Sequence, residues 1–176
     1  MLLRSLAFAA LAAGLSVGAA QAKAPTAGGY HATIVRTAYG APHVTAANYG
    51  SLGFGAGYAA AQDNFCDFAD RMLTVNGERA RYLGPGDKNA NVVSDLYHRR
   101  LIQTGRLEQL LNADPRSLDR PSADARALTK GYVAGINRYV RDTGAAKLPA
   151  ACRNAPWVRA YAAKDMWRAT PPCQIP

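Results

Sequence analysis

Strand-forming sequence is confined to one short stretch of this chain, and everything after it reads as helix or turn. Residues 30–46 alternate bulky with small or polar side chains: Tyr30, Ala32, Ile34, then Val44 beyond a turn at Tyr39-Gly40 and Pro42. That pattern predicts a two-stranded hairpin, with Val35 and Val44 on its two arms. An isolated hairpin is marginal in water, and no other convincing strand follows, so the rest of the sheet has to come from elsewhere.

The helices that follow are amphipathic. Phe54, Tyr58, Ala61, Phe65, Ala69 and Met72 recur every three or four residues and predict a helix over about 58–73. Asp67 and Asp70 fall on its solvated side, and Asn76-Gly77 supplies its stop. The stretch Glu78-Arg79-Ala80-Arg81-Tyr82-Leu83 mixes opposite charges and ends at Gly84-Pro85-Gly86. A second helix is expected over 91–111, with Val93, Leu96, Tyr97, Arg100, Thr104, Leu107 and Leu111 on its packing side. A third starts after Pro121 with Ser122 as N-cap, carries Leu128, Tyr132, Ile136, Tyr139 and Val140, and stops at Gly144.

The glycine-rich run 49–58 (YGSLGFGAGY) excludes two familiar motifs. Its glycines are spaced G-x-G-x-G, not G-x-G-x-x-G, and no parallel strand precedes them, so a dinucleotide loop is ruled out. Gly50-Ser51-Leu52-Gly53 lacks the residue a nucleophile elbow places between glycine and serine. What remains is a glycine-lined surface on which a neighbouring helix can pack closely.

Residues 1–22 carry one charge, Arg4, then an apolar run, and end in Ala20-Gln21-Ala22. The run is too short and too interrupted for a membrane span and reads as an export signal, with the mature chain starting near Lys23. No later stretch is long enough for a span, and no membrane association is expected. In an oxidising compartment Cys66 and Cys152 are candidate disulfide partners, with free buried thiols as the alternative and Cys173 left over. No CxxC, HExxH or ligand cluster is present, so neither metal nor cofactor is expected. Twenty-one Lys and Arg against twelve Asp and Glu give a formal charge of +9. The cations are scattered among acids along every segment, which fits a solvated surface better than a nucleic-acid face.

Five blocks in order carry a family resemblance: 34–44 (IVRTAYGAPHV), 49–64 (YGSLGFGAGYAAAQDN), 77–84 (GERARYLG), 131–137 (GYVAGIN) and 151–159 (ACRNAPWVR). Together they resemble the opening of the penicillin acylase family, on the branch of acyl-homoserine-lactone and aculeacin-type acylases. The resemblance spans about 30–168. It implies the α-chain portion of an αββα N-terminal-nucleophile hydrolase: mainly α, with an N-terminal β-hairpin.

In such enzymes an exported precursor cuts itself into an α chain, a spacer and a β chain. The β chain's N-terminal Ser attacks the amide, its own amine acting as base, and the β chain also supplies most of the sheet. The implied activity is hydrolysis of N-acyl-homoserine lactones or related acylated amides, such as β-lactam antibiotics and lipopeptides. The implied partners are the β chain and a small acylated substrate, and helix faces built to wrap that chain are left wet here.

No catalytic residue is assigned in this chain. Tyr132 and Asn137 are candidates for the pocket side. His43 reads as a structural strand-end histidine, and Gln62, Asp63 and Asn64 as residues that fix the loops around the junction of helix and sheet. After Arg168 the likeness ends: 169–176 (ATPPCQIP) has adjacent prolines that cannot continue a helix, and reads as a shifted or truncated tail. The competing reading is an exported basic module that binds an anionic ligand and has no catalytic role.

Overall fold

The computed structural model describes residues 28–169 and the backbone of 21–23. Most of residues 1–22, expected to be an export signal, and the tail beyond Ala169 therefore lie outside the described residues.

The hairpin forms where the alternation places it. Strand β2 (Ala32–Arg36) pairs antiparallel with β3 (Pro42–Ala46), with Ile34 opposite Val44 and Val35 opposite His43. Gly40 takes φ +83°, the left-handed conformation that costs glycine least, and its N–H donates to Thr37 O at 2.9 Å to close the turn. A short strand β1 (Gln21–Lys23) lies on the other side of β2, with Ala22 opposite Ile34. No alternation in residues 21–23 points to this strand. Cleavage after Ala22 would remove most of it, leaving β2 and β3 as the sheet.

Helix α1 (Tyr49–Val75) is nine residues longer at its start than the periodicity indicates, because the glycine run is itself helical. Asn48 caps it, its side chain accepting from Ser51 N at 2.8 Å. Glycines disfavour helix, so packing has to fix this turn-rich sequence in the helical form. The partner is α5 (Ala123–Thr143), which begins after Ser122 as expected, the Ser122 hydroxyl accepting from Ala125 N at 3.1 Å.

The two helices touch backbone to backbone. A Cβ at Gly53 or Gly57 would collide with the carbonyls of Leu128 and Tyr132, and one at Gly131 or Gly135 with those of Gly50 and Phe54. Gly55 faces the opposite way, where a Cβ would lie 2.6 Å from Val44 and 2.7 Å from Ala32. Alternate glycines thus let α1 press on α5 with one face and on the hairpin with the other.

The main core lies along the rest of this pair. Ala61, Phe65, Ala69, Met72 and Val75 from α1 meet Val133 and Ile136 from α5, with Leu148, Cys152 and Tyr161 closing the end. A smaller cluster of Ile34, Phe54 and Ala59 joins hairpin to helix, and Tyr30 stacks on Phe54 with centroids 5.7 Å apart.

The middle of the chain departs from expectation. The charged stretch after Gly77 is a short helix, α2 (Arg79–Leu83), and the helix expected over 91–111 is two: α3 (Ala90–Gln103) and α4 (Arg106–Leu111). Gly105, at φ +65°, ends α3 and separates them. The intended packing side of α3 also faces outward. Val93, Leu96 and Tyr97 are 62%, 64% and 55% exposed, whereas Asp95 is only 7% exposed. The carboxylate of Asp95 accepts the N–H groups of Arg79 and Ala80 at 2.9 and 2.8 Å, satisfying the open amino end of α2. That capping role fixes the rotation of α3 and turns its apolar residues out.

Candidate functional site

Three places bring chemically useful side chains together. The first is where the hairpin tip meets α1. Arg36, at the end of β2, donates to Gly40 O (2.8 Å) and Gln62 Oε1 (3.2 Å) and pairs with Asp63 at 2.9 Å. Arg36 also reaches Ala59 O at 3.4 Å. Beside this knot the helix leaves its regular path at Asn64, with φ −141° and ψ 38°. One guanidinium therefore ties the turn, the helix side chains and a helix carbonyl, which makes Gln62 and Asp63 fasteners of the helix–sheet junction. His43 lies on the exposed strand opposite Val35.

The second place is the far end of α5. Asn137 donates from Nδ2 to Tyr161 O at 2.8 Å and accepts from Tyr161 N at 2.9 Å, so each end of its amide holds one backbone group. This clamp seats Tyr161 in the core, 5.1 Å edge-on to Phe68. The Tyr161 hydroxyl has no hydrogen-bond partner, and burial pushes its pKa up to about 12. Tyr132 is half-buried against the same core, and burial raises its phenol as well. Tyr132 and Asn137 are thus on one helix, and neither lines the cavity described below.

Close by, Cys66 of α1 and Cys152 are joined by a disulfide whose Cα atoms are 5.4 Å apart, within ordinary disulfide geometry. The C-terminal segment is fastened further by α6 (Ala163–Arg168). Arg71 donates to Ala169 O at 2.6 Å, and Arg168 donates to Asn76 Oδ1.

The third place is a cavity of about 670 Å³ between the amino ends of α1 and α5. Tyr30, Tyr49, Pro115 and Pro121 give it apolar walls, and Arg120, Arg126 and Lys130 line it with positive charge.

Ser51, the serine of the glycine run, is 3% exposed, and its Oγ accepts from the backbone N–H of His31 at 3.2 Å. It is a structural acceptor inside the α1 turn. Among the described residues, no three His, Cys, Asp or Glu side chains form a metal-holding group. None of their helices is long and apolar enough to cross a membrane.

Sequence reasoning passed over Arg36, Arg79 and Asp95. Arg79 joins Asp70 (2.7 Å), Thr74 (3.0 Å) and Asn91 (3.1 Å), so Asp70 is not a merely solvated residue as expected. Apart from the Arg36–Gly40 contact inside the turn, these partners are 5–27 residues apart in sequence, and no local spacing rule would have joined them.

This arrangement, a long kinked helix crossed by a second helix and backed by an edge hairpin, is the α-chain architecture of the penicillin acylases. The penicillin amidase family profile matches residues 31–170, and the chain belongs to that family. It is 40% identical over 169 residues to the aculeacin-A acylase of Actinoplanes utahensis, covering 91% of this chain and 21% of that protein. It is 42% identical to the acyl-homoserine lactone acylase PvdQ of Pseudomonas syringae pv. syringae (strain B728a), covering 79% of this chain and 17% of that one. Among solved structures it resembles a thermostable penicillin G acylase from Alcaligenes faecalis, with a TM-score of 0.66 and 26% identity over 78% of this chain and 69% of that chain. The chain spans about a fifth of the length of the curated relatives it matches.

Proposed function

We propose that this chain is the α-chain part of an exported acylase that hydrolyses the amide bond of N-acyl-homoserine lactones or related acylated amides. The nucleophile would be the N-terminal Ser of a β chain, and the fragment alone would be inactive. The observation that supports this most is the outward apolar face of α3. Val93, Leu96, Tyr97 and Leu101 recur at helical spacing and are 42–64% exposed on a helix whose inner side carries a buried Asp. An apolar stripe turned to water in a family of acylases fits a surface that a further chain covers.

Within this reading Tyr132 and Asn137 act from the side of the pocket, Asn137 as a positioning residue through Tyr161. Residues 1–22 direct export, and the Cys66–Cys152 link closes in the oxidising compartment the signal leads to. The test is to purify the exported chain and assay hydrolysis of an acyl-homoserine lactone with and without a matching β chain made separately. No turnover alone and turnover with the β chain is expected. Turnover by the chain alone would place the nucleophile among residues assigned here to structure.

A further inference from the structure

We propose that the cavity between the amino ends of α1 and α5 binds an amphiphilic carboxylate. Its head group would be held by Arg120, Arg126 and Lys130, and its apolar body would lie against Tyr30 and Tyr49.

The electrostatics favour an anion. The cavity is lined by three cations against one carboxylate, Asp124. Among the described residues none of the three cations has an ion-pair partner. The family of short-range fields adds to this. The first-turn residues Tyr49 and Gly50 of α1 and Ala123 and Asp124 of α5 all line the same space, so two long helices present their positive ends to it.

The cationic wall is also held in place before anything binds. Arg120 donates from one nitrogen to Ala113 O at 3.1 Å, and Arg126 from one nitrogen to Leu111 O at 2.6 Å. Each carbonyl lies at the end of α4 or just beyond it, and each guanidinium keeps its other donors for a carboxylate. Pinning two arginines in advance lowers the entropy cost of binding.

The walls argue against a bare inorganic anion. Tyr30, Tyr49, Pro115, Pro121 and Ala127 offer apolar surface to a body, not only to a charge. The volume of about 670 Å³ lies within the range typical of small-molecule pockets. All of these groups belong to this chain, so the proposal stands apart from the acylase reading and can fail without it.

The test is to titrate the isotope-labelled full chain with naphthoate, with naphthamide of the same shape but no charge, and with inorganic phosphate. Naphthoate should saturably shift the amide signals of Tyr49, Gly50, Ala123 and Asp124. Naphthamide and phosphate should each bind at least roughly tenfold more weakly. Lys130→Gln, on an exposed side chain, should weaken naphthoate several-fold without moving the melting temperature, and Arg120→Gln should weaken it further. Equal binding of naphthamide would reduce the site to an apolar groove, and equal binding of phosphate to a bare anion site. Either result would overturn the proposal, as would indifference to both variants or signal shifts confined to other residues.

Discussion

Helices α1 and α3 are both amphipathic, and they use that property in opposite ways. In α1 the stripe Phe54, Ala61, Phe65, Ala69 and Met72 is buried to 2% exposure or less. In α3 the corresponding stripe, Val93, Leu96 and Tyr97, is more than half exposed. The difference comes from what each helix must satisfy on its inner side. Helix α1 meets α5 through glycines, so backbones approach and apolar side chains interlock around them. Helix α3 owes its orientation to Asp95, whose carboxylate is committed to the amino end of α2. Periodicity reveals that a helix has an apolar side, but not which protein, or which part of one, that side is for.

The largest effect should come from blocking the backbone contact that defines the buried pair. Gly57→Leu or Gly131→Leu would drive a side chain into a carbonyl of the facing helix, and neither backbone can yield while the core stays closed. A loss on the order of 4–5 kcal/mol is expected, read as collapse of the cooperative denaturant transition. Retention of the transition within about 1 kcal/mol would contradict the close crossing.

Removing the Cys66–Cys152 link comes next. The bridge closes a sequence separation of 86 and ties α1 to the C-terminal segment. Cys66→Ala with Cys152→Ala should lower stability by roughly 3–4 kcal/mol, measured against the oxidised chain in urea.

Asp95→Ala should cost less, about 1–3 kcal/mol, since it strands two N–H groups at the start of α2. Its value for the comparison lies in a second readout. With the cap gone α3 is free to rotate, and binding of an apolar-surface dye should change with it.

Tyr161→Phe is expected to be neutral or to stabilise by up to about 1 kcal/mol, because the hydroxyl it deletes has no partner. The pH dependence has a defined sign. Burial raises the folded-state pKa from 10.0 to about 12, so the neutral phenol's contribution is complete below about pH 10 and is lost as pH rises toward 12. Wild-type melting temperature should fall across that interval, and the fall should be smaller in Tyr161→Phe.

The smallest effect belongs to the outward face. Leu96→Glu with Tyr97→Glu should change the stability of the chain alone by no more than about 0.5 kcal/mol, because both side chains are more than half exposed.

The hairpin, its turn, the stops at Asn76-Gly77 and Gly144 and the Ser122 cap were legible in the sequence, each resting on a residue whose local chemistry admits few alternatives. The start of α1 was not, because glycine argues for a loop until a facing helix is known. The break at Gly105 carried a visible signal that the surrounding apolar spacing outweighed. Asp95 could not be read at all: a lone acid in a helix says nothing of a capping partner 15 or 16 residues back. At the site, the glycine surface of α1 could be anticipated from its spacing. The Arg36 knot and the cationic cavity could not, since the first joins residues up to 27 apart and the second joins 30–50 to 115–130.

Hydrogen–deuterium exchange on the chain alone and on the chain with a matching β chain tests most directly whether one stripe serves this chain's own core and the other serves a partner. Strong protection of α1 and α5 is expected in both samples, with protection of α3 and quenching of dye binding only when the β chain is present. Unprotected α1 and α5 in the chain alone, or an α3 whose exchange is unchanged by the β chain, would contradict that division.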